Sequence, residues 1–135
     1  MLAAANVMPG ENVVDLGAGD GRIVYDAART FNANATGIEI HPGRYKWALS
    51  NLQDVASHAR IRRQNFYETD LTNADVVTMY LLPSVNDALR KKLERELQPG
   101  ARVVTHDFPM VSWRPEHIEI IQGPRGHDLI FVYRI

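Results

Sequence analysis

The run Asp15-Leu-Gly17-Ala-Gly19-Asp20-Gly21 constrains this chain more than any other feature. Before it lies a short apolar stretch, Asn12–Leu16. After it, Ile23, Val24, Ala27, Ala28 and Phe31 recur at helical spacing over Arg22–Phe31. A strand therefore runs into a helix through a tight, glycine-rich turn. Glycines there let the backbone approach a ligand closely, with N–H groups expected free at the helix start. What the run lacks narrows the ligand. A dinucleotide fingerprint needs another glycine three positions after Gly19, and that position is Arg22. The Gly-Lys-Ser/Thr of a phosphate-cradling loop is absent. Asp15 would set a negative charge beside a pyrophosphate, which is unfavourable. The pattern suits a ligand with a cationic amino-acid tail and no phosphate.

The rest of the sequence alternates strands and helices. Ala35–Ile40 reads as a second strand, closed by His41-Pro42. Proline at the first helical position then opens a helix with Tyr45, Ala48, Leu49, Leu52 and Ala56 on its apolar face. Arg60–Gln64 and Asp75–Tyr80 read as strands three and four. Ser84 and Asp87 resemble a capping box for the next helix, whose buried stripe is Val85, Ala88, Leu89, Leu93 and Leu97. Lys91, Lys92, Glu94, Arg95 and Glu96 form its wet face, and Pro99-Gly100 ends it. Arg102–His106 is a fifth strand. Ile118–Ile121 and Leu129–Ile135 follow with no helix between them, joined by a Gly-Pro-Arg-Gly turn, which makes an antiparallel pair. The plan is α/β: a doubly wound, mostly parallel seven-stranded sheet with an antiparallel C-terminal hairpin, within one domain.

In such sheets ligands bind where the strands end, at the switch point. Glu39, with Ile40 beside it, ends the second strand, where a carboxylate accepts both hydroxyls of a ribose. Asn65 and Phe66 follow the third strand and offer an amide and an apolar face to an adenine. Tyr80 ends the fourth strand. His106-Asp107 ends the fifth and serves either as a base or as a structural pair. Trp113 reads equally as a substrate-facing aromatic or a lid anchor.

Composition removes several classes of function. With no cysteine there is no disulfide, no thiolate metal site and no covalent cysteine mechanism. The five histidines include no i, i+4 pair, and no metal site is expected. A formal charge of −1 gives no general drive toward nucleic acid, and Arg60, Arg62 and Arg63 read as a solvated face. No apolar run approaches membrane-spanning length, and Met1–Ala5 lacks the basic start of a signal peptide. A cytoplasmic protein with no membrane association is expected.

Asp15–Gly21 and Glu39 together resemble motifs I and II of class I S-adenosylmethionine methyltransferases, which have the Rossmann-like fold. The runs Ala74–Asn86 and Lys92–Phe108, with Trp113, are similar to one subgroup. It comprises archaeal broad-specificity protein-lysine methyltransferases, their bacterial relatives and mitochondrial enzymes that methylate the ATP synthase c subunit. The resemblance implies S-adenosyl-L-methionine as cofactor, held by Asp15, Gly17, Gly19, Asp20, Glu39, Ile40, Asn65 and Phe66. It also implies a protein substrate; Tyr80, from its place at the end of the fourth strand, is read as the rim of the acceptor side, and His106 as either a base there or part of a structural pair. A methyltransferase acting on RNA or a small molecule, or an inactive cofactor-binding subunit, remain the alternatives. Met1–Met8 stand where the family carries an extended Pro-Tyr-Val-Pro-Thr-like segment and a fuller helix. That departure bears on substrate entry more than on the cofactor.

Overall fold

The computed structural model describes all 135 residues. Strand β1 (Asn12–Leu16) leads through the glycine turn into α1 (Arg22–Arg29), then β2 (Asn34–Ile38) and α2 (Pro42–Asn51). Next come β3 (Ala59–Arg62), β4 (Val76–Met79), α3 (Pro83–Glu96), β5 (Arg102–His106), β6 (His117–Gly123) and β7 (Gly126–Arg134). The seven strands form one sheet in the order β3-β2-β1-β4-β5-β7-β6. β1 to β5 are parallel, and β7 alone runs against the others, antiparallel to both β5 and β6. The expected doubly wound sheet and terminal hairpin are both present.

The sheet buries a core on each face. On one side Val13, Ala35 and Val76 pack with Val24, Ala27 and Ala28 of α1, and with Ala48 and Leu52. Leu2, Ala4, Ala5 and Val7 join this core from an N-terminal helical turn. On the other side Leu16, Ile38, Val77, Met79 and Val103 meet Leu89, Leu93 and Leu97. The strand order reverses between β1 and β4, so the ends of those two strands open a crevice.

Four details of α2 and α3 differ from the sequence reading. The apolar face of the second helix does not continue to Ala56: α2 stops at Asn51, and a 3₁₀ turn at Gln53–Val55 changes the phase. Val55 is buried in place of Ala56, and Leu49 is exposed. Ser84 caps nothing. Pro83 takes a first-turn position, so Leu82 becomes the N-cap and no side chain completes a cap. On α3, Asn86 is buried where Ala88 was expected, and Ala88 is exposed. Lys92 and Glu96 are not simply a wet face. They form a half-buried ion pair at 2.7 Å, and Glu96 also accepts the Leu71 N–H at 3.1 Å.

A candidate cofactor and acceptor site at the strand ends

Gly17, Gly19 and Gly21 all adopt positive φ, at 79°, 58° and 82°. A side chain at Gly17 would also place its Cβ 2.8 Å from Leu81 Cδ2. Gly21 lets α1 begin against α2, since a Cβ there would meet Ala48 Cβ at 3.2 Å. All three positions favour glycine for their positive φ, and Gly21 also for its close approach to α2.

The N–H groups of Ile23 and Val24 at the start of α1 have no partner, as expected, but those of the glycine turn before them are engaged. Gly17 and Ala18 both donate to the Ile38 carbonyl at 2.9 Å, Gly21 donates to Ala18, and Gly19 donates to Glu39 Oε2 at 2.8 Å. Arg22 N donates to Asp20 Oδ1. The glycines themselves therefore offer no open row of donors of the kind that cradles a phosphate.

The turn holds carboxylates instead. Asp15, one residue before the end of β1, lies beside Thr78 of β4 and accepts its hydroxyl at 2.6 Å. The residue is only 5% exposed, and its pKa is raised to about 6, first by burial and then by the neighbouring charges of Asp20 and Glu39. Glu39 is 4% exposed and spans the crevice floor, accepting Gly19 N and, at 2.9 Å, His41 N. Each of its oxygens keeps a lone pair for a ligand. Asp20 is held by the Arg22 guanidinium at 2.8 Å, and this hydrogen bond pulls its pKa below the usual carboxylate range.

The other candidates line the same edge. Ile40 is exposed beyond Glu39. Asn65 caps the 3₁₀ turn Phe66–Glu68, its Oδ1 accepting Tyr67 N at 3.0 Å. That oxygen was the group expected to meet an adenine amino group, and local structure already engages it. Phe66 is half-buried and packs against the α3-side core.

Beyond β4 and β5 lies a separate polar group. Tyr80 is 55% exposed and stacks on His106 with ring centroids 4.2 Å apart; Phe108 lies nearly parallel to it at 6.4 Å. His106 Nε2 is buried without a hydrogen-bond partner, 3.7 Å from Asp107 Oδ2 and 3.4 Å from Asp128 Oδ2. Asp107 has φ +59° and is tied to β7 through Leu129 N and Leu129 O. These three side chains are close enough to hold a metal ion. No spacing in the chain signals this group, because pairing of β5 with β7 brings Asp128 in from a distant hairpin. Thr78 and Asp128 are the site neighbours that sequence reasoning missed. Trp113 is not at this edge: its indole donates to Glu94 of α3 and packs edge-on against Tyr133.

A protein-lysine N-methyltransferase of Saccharolobus islandicus is 42% identical over the whole of this chain and 86% of its own length. The adenine nucleotide translocase lysine N-methyltransferase of Mus musculus is 36% identical over the whole chain, which spans 58% of that enzyme. A crystal structure from Salinibacter ruber, described as an RNA methyltransferase in complex with S-adenosyl-L-homocysteine, superposes with a TM-score of 0.93 at 43% identity. That match covers 99% of this chain and 86% of the other. The sequence pattern of the ANTKMT methyltransferase domain matches residues 15–117, from the buried carboxylate of β1 to the start of β6. With the glycine turn, the Asp15–Glu39 pair and the strand order all inside or around that match, this chain belongs to the ANTKMT methyltransferase domain family.

Proposed function

We propose that this chain transfers methyl groups from S-adenosylmethionine to lysine side chains of proteins, working in the cytoplasm. The observation that carries the cofactor half is the charge of the crevice. Asp15, Asp20 and Glu39 surround a glycine turn in which the Gly17, Ala18, Gly19 and Gly21 N–H groups are already engaged. Such a pocket repels a pyrophosphate and attracts a ligand bearing an ammonium and a sulfonium. The lysine half rests on the whole-chain similarity to the Saccharolobus islandicus enzyme.

The residues divide the work. Asp15 would hold the cofactor's ammonium, and the free lone pairs of Glu39 would accept its ribose hydroxyls. Gly17 and Gly19 leave room for it. Asp20, through its pair with Arg22, fixes the start of α1. Ile40 and Phe66 offer apolar walls. Asn65 retains its amide nitrogen, a donor suited to a ring nitrogen of adenine. When bound, the cofactor supplies a methyl group on a positively charged sulfur, and its transfer is a displacement that needs alignment and exclusion of water. On the acceptor side a lysine ammonium, with an ordinary pKa of about 10.4, must first lose a proton. Tyr80, backed by His106, forms a rim that desolvates the amine and favours its neutral form. Because His106 Nε2 is buried under this stack, the proton leaves to solvent.

The test is transfer of a labelled methyl group. With isotopically labelled S-adenosylmethionine, a cell extract and total RNA, label should be recovered as methyl-lysine after protein hydrolysis. Label on RNA and none on lysine would replace this reading with the one suggested by the description of the Salinibacter ruber structure.

A further inference from the structure

The two edges of the sheet are protected unequally. A sheet edge presents unpaired N–H and C=O groups, and folded chains guard such edges with short strands, charged side chains, prolines or bulges. At one edge β3 has four residues, and Arg60 and Arg62 stand exposed along it. At the other edge β6 has seven residues, and Glu119 is nearly all the guard it has. Its register with β7 is unbroken from His117 to Gly123, and that stretch holds no lysine, arginine or proline. Ile118, Ile120 and Ile121 are 50%, 68% and 39% exposed.

The hydrogen bonds of β7 set which groups of β6 face outward. Asp107 N donates to Leu129 O and Ile135 N to Ala101 O, so the odd-numbered residues of β7 point at β5. Glu116 N donates to Val132 O, so the even-numbered residues point at β6. Val132 lies opposite His117, and therefore His117, Glu119 and Ile121 direct their backbone groups at β7. Those of Ile118, Ile120 and Gln122 face the open edge, where no strand lies beside them.

We propose that β6 is a dimerisation strand: a second copy of this chain adds its own β6 antiparallel to it, joining the two sheets across a two-fold axis at Ile120. The strand is complementary to itself in that register. A two-fold axis between antiparallel strands sets one residue opposite its own copy. With the axis at Ile120, all of His117–Gly123 is paired. Outward groups then meet outward groups, Ile120 with Ile120 and Ile118 with Gln122, each residue bringing one donor and one acceptor. Each neighbouring register fails at a particular contact. An axis at Ile118 opposes Ile120 to Glu116, whose N–H already goes to Val132. An axis at Glu119 sets two carboxylates face to face, which is destabilising. An axis at Ile121 or Gln122 brings Pro124, which has no N–H, against Ile118 or Ile120. Pairing at Ile120 also covers apolar surface. Ile118 and Ile120 stand opposite Phe131 and Leu129 of β7, on the face that packs under α3, and the copy continues that apolar row. The assembly does not depend on what the methyl acceptor is.

Sedimentation velocity and cross-linking test it. The chain, 15.2 kDa alone, should approach twice that mass at high micromolar concentration and return to the monomer on dilution. Ile120→Lys puts like charges on the axis and should leave a monomer at every concentration. The side chain is exposed, so the thermal stability of the diluted variant and its S-adenosylhomocysteine affinity should match wild type. Because the chain has no cysteine, single introduced thiols report the register. Hydrogen-bonded antiparallel partners stand about 5.5 Å apart at Cα, within reach of a disulfide. Ile120→Cys should therefore cross-link under mild oxidation, and Ile118→Cys, which faces Gln122 of the copy, should not. A dimer that survives Ile120→Lys overturns the proposal, as does cross-linking through Ile118→Cys in place of Ile120→Cys. A monomer at every concentration overturns it too. So does a monomer whose β6 amides respond to a lysine-containing peptide, which would make the strand a substrate dock.

Discussion

Asp15 is costly to the empty protein, and replacing it by asparagine measures that cost. A rise in pKa from 3.8 to about 6 means that the ionised carboxylate is less stable in the folded chain than in the unfolded one. At about 1.4 kcal/mol per decade of affinity for the proton, the difference is about 3 kcal/mol at neutral pH. The sign follows from proton counting. Between pH 4 and pH 6 the folded chain keeps the Asp15 proton and the unfolded chain has released it, so raising the pH through this window removes stability. In Asp15→Asn the introduced amide would remain a neutral acceptor for the Thr78 hydroxyl and avoid that loss. Urea denaturation of the ligand-free protein should therefore find Asp15→Asn more stable at pH 7, by up to about 3 kcal/mol. The difference should shrink toward zero at pH 4. Affinity for S-adenosylhomocysteine should move the other way: lost in the variant, and in the wild type falling about tenfold per pH unit below about 6. An Asp15→Asn variant less stable than wild type at pH 7 would overturn this picture, because the carboxylate would then be a structural asset rather than a charge awaiting a cation.

The same geometry fixes four further outcomes. Gly17→Ala combines a left-handed φ with a Cβ 2.8 Å from Leu81, so calorimetry should find cofactor binding weakened at least tenfold. Glu39→Gln keeps the size of the side chain and removes the charge; affinity should drop by about 1.5–3 kcal/mol, the range for hydrogen bonds to a charged group. Because Glu39 also holds Gly19 N and His41 N, Glu39→Ala should lower thermal stability as well, which the sequence alone did not suggest. Tyr80→Ala should cut kcat while leaving S-adenosylhomocysteine affinity unchanged, as measured by initial rates and calorimetry.

The glycine turn and the carboxylate beside it were readable because they are local. Seven consecutive residues carry the turn, and Glu39 follows from the register of the second strand. The hairpin was readable because Gly123–Gly126 leaves no room for a helix between two apolar strands. What failed did so for non-local reasons. No pattern reveals that the Gly17, Ala18 and Gly19 N–H groups are taken by Ile38 and Glu39, since that depends on how β2 lies beside the turn. Asp128 was invisible because strand pairing, not sequence spacing, carries it to His106. Ser84 misled because Pro83 occupies the first turn and moves the cap to Leu82. The Lys92–Glu96 pair looked solvated because an i, i+4 charge pair usually is; here the Leu71 N–H draws Glu96 inward.

The central proposal is that the crevice between β1 and β4 takes a cationic, phosphate-free nucleoside ligand. Parallel calorimetric titrations of the wild-type chain with S-adenosylhomocysteine and with NAD at pH 7.5 put this to the sharpest trial. S-adenosylhomocysteine should bind one-to-one, with binding lost in Asp15→Asn, and NAD should give no heat. Tight binding of NAD with no response to S-adenosylhomocysteine would show that the carboxylates of Asp15 and Glu39 do not select the ligand.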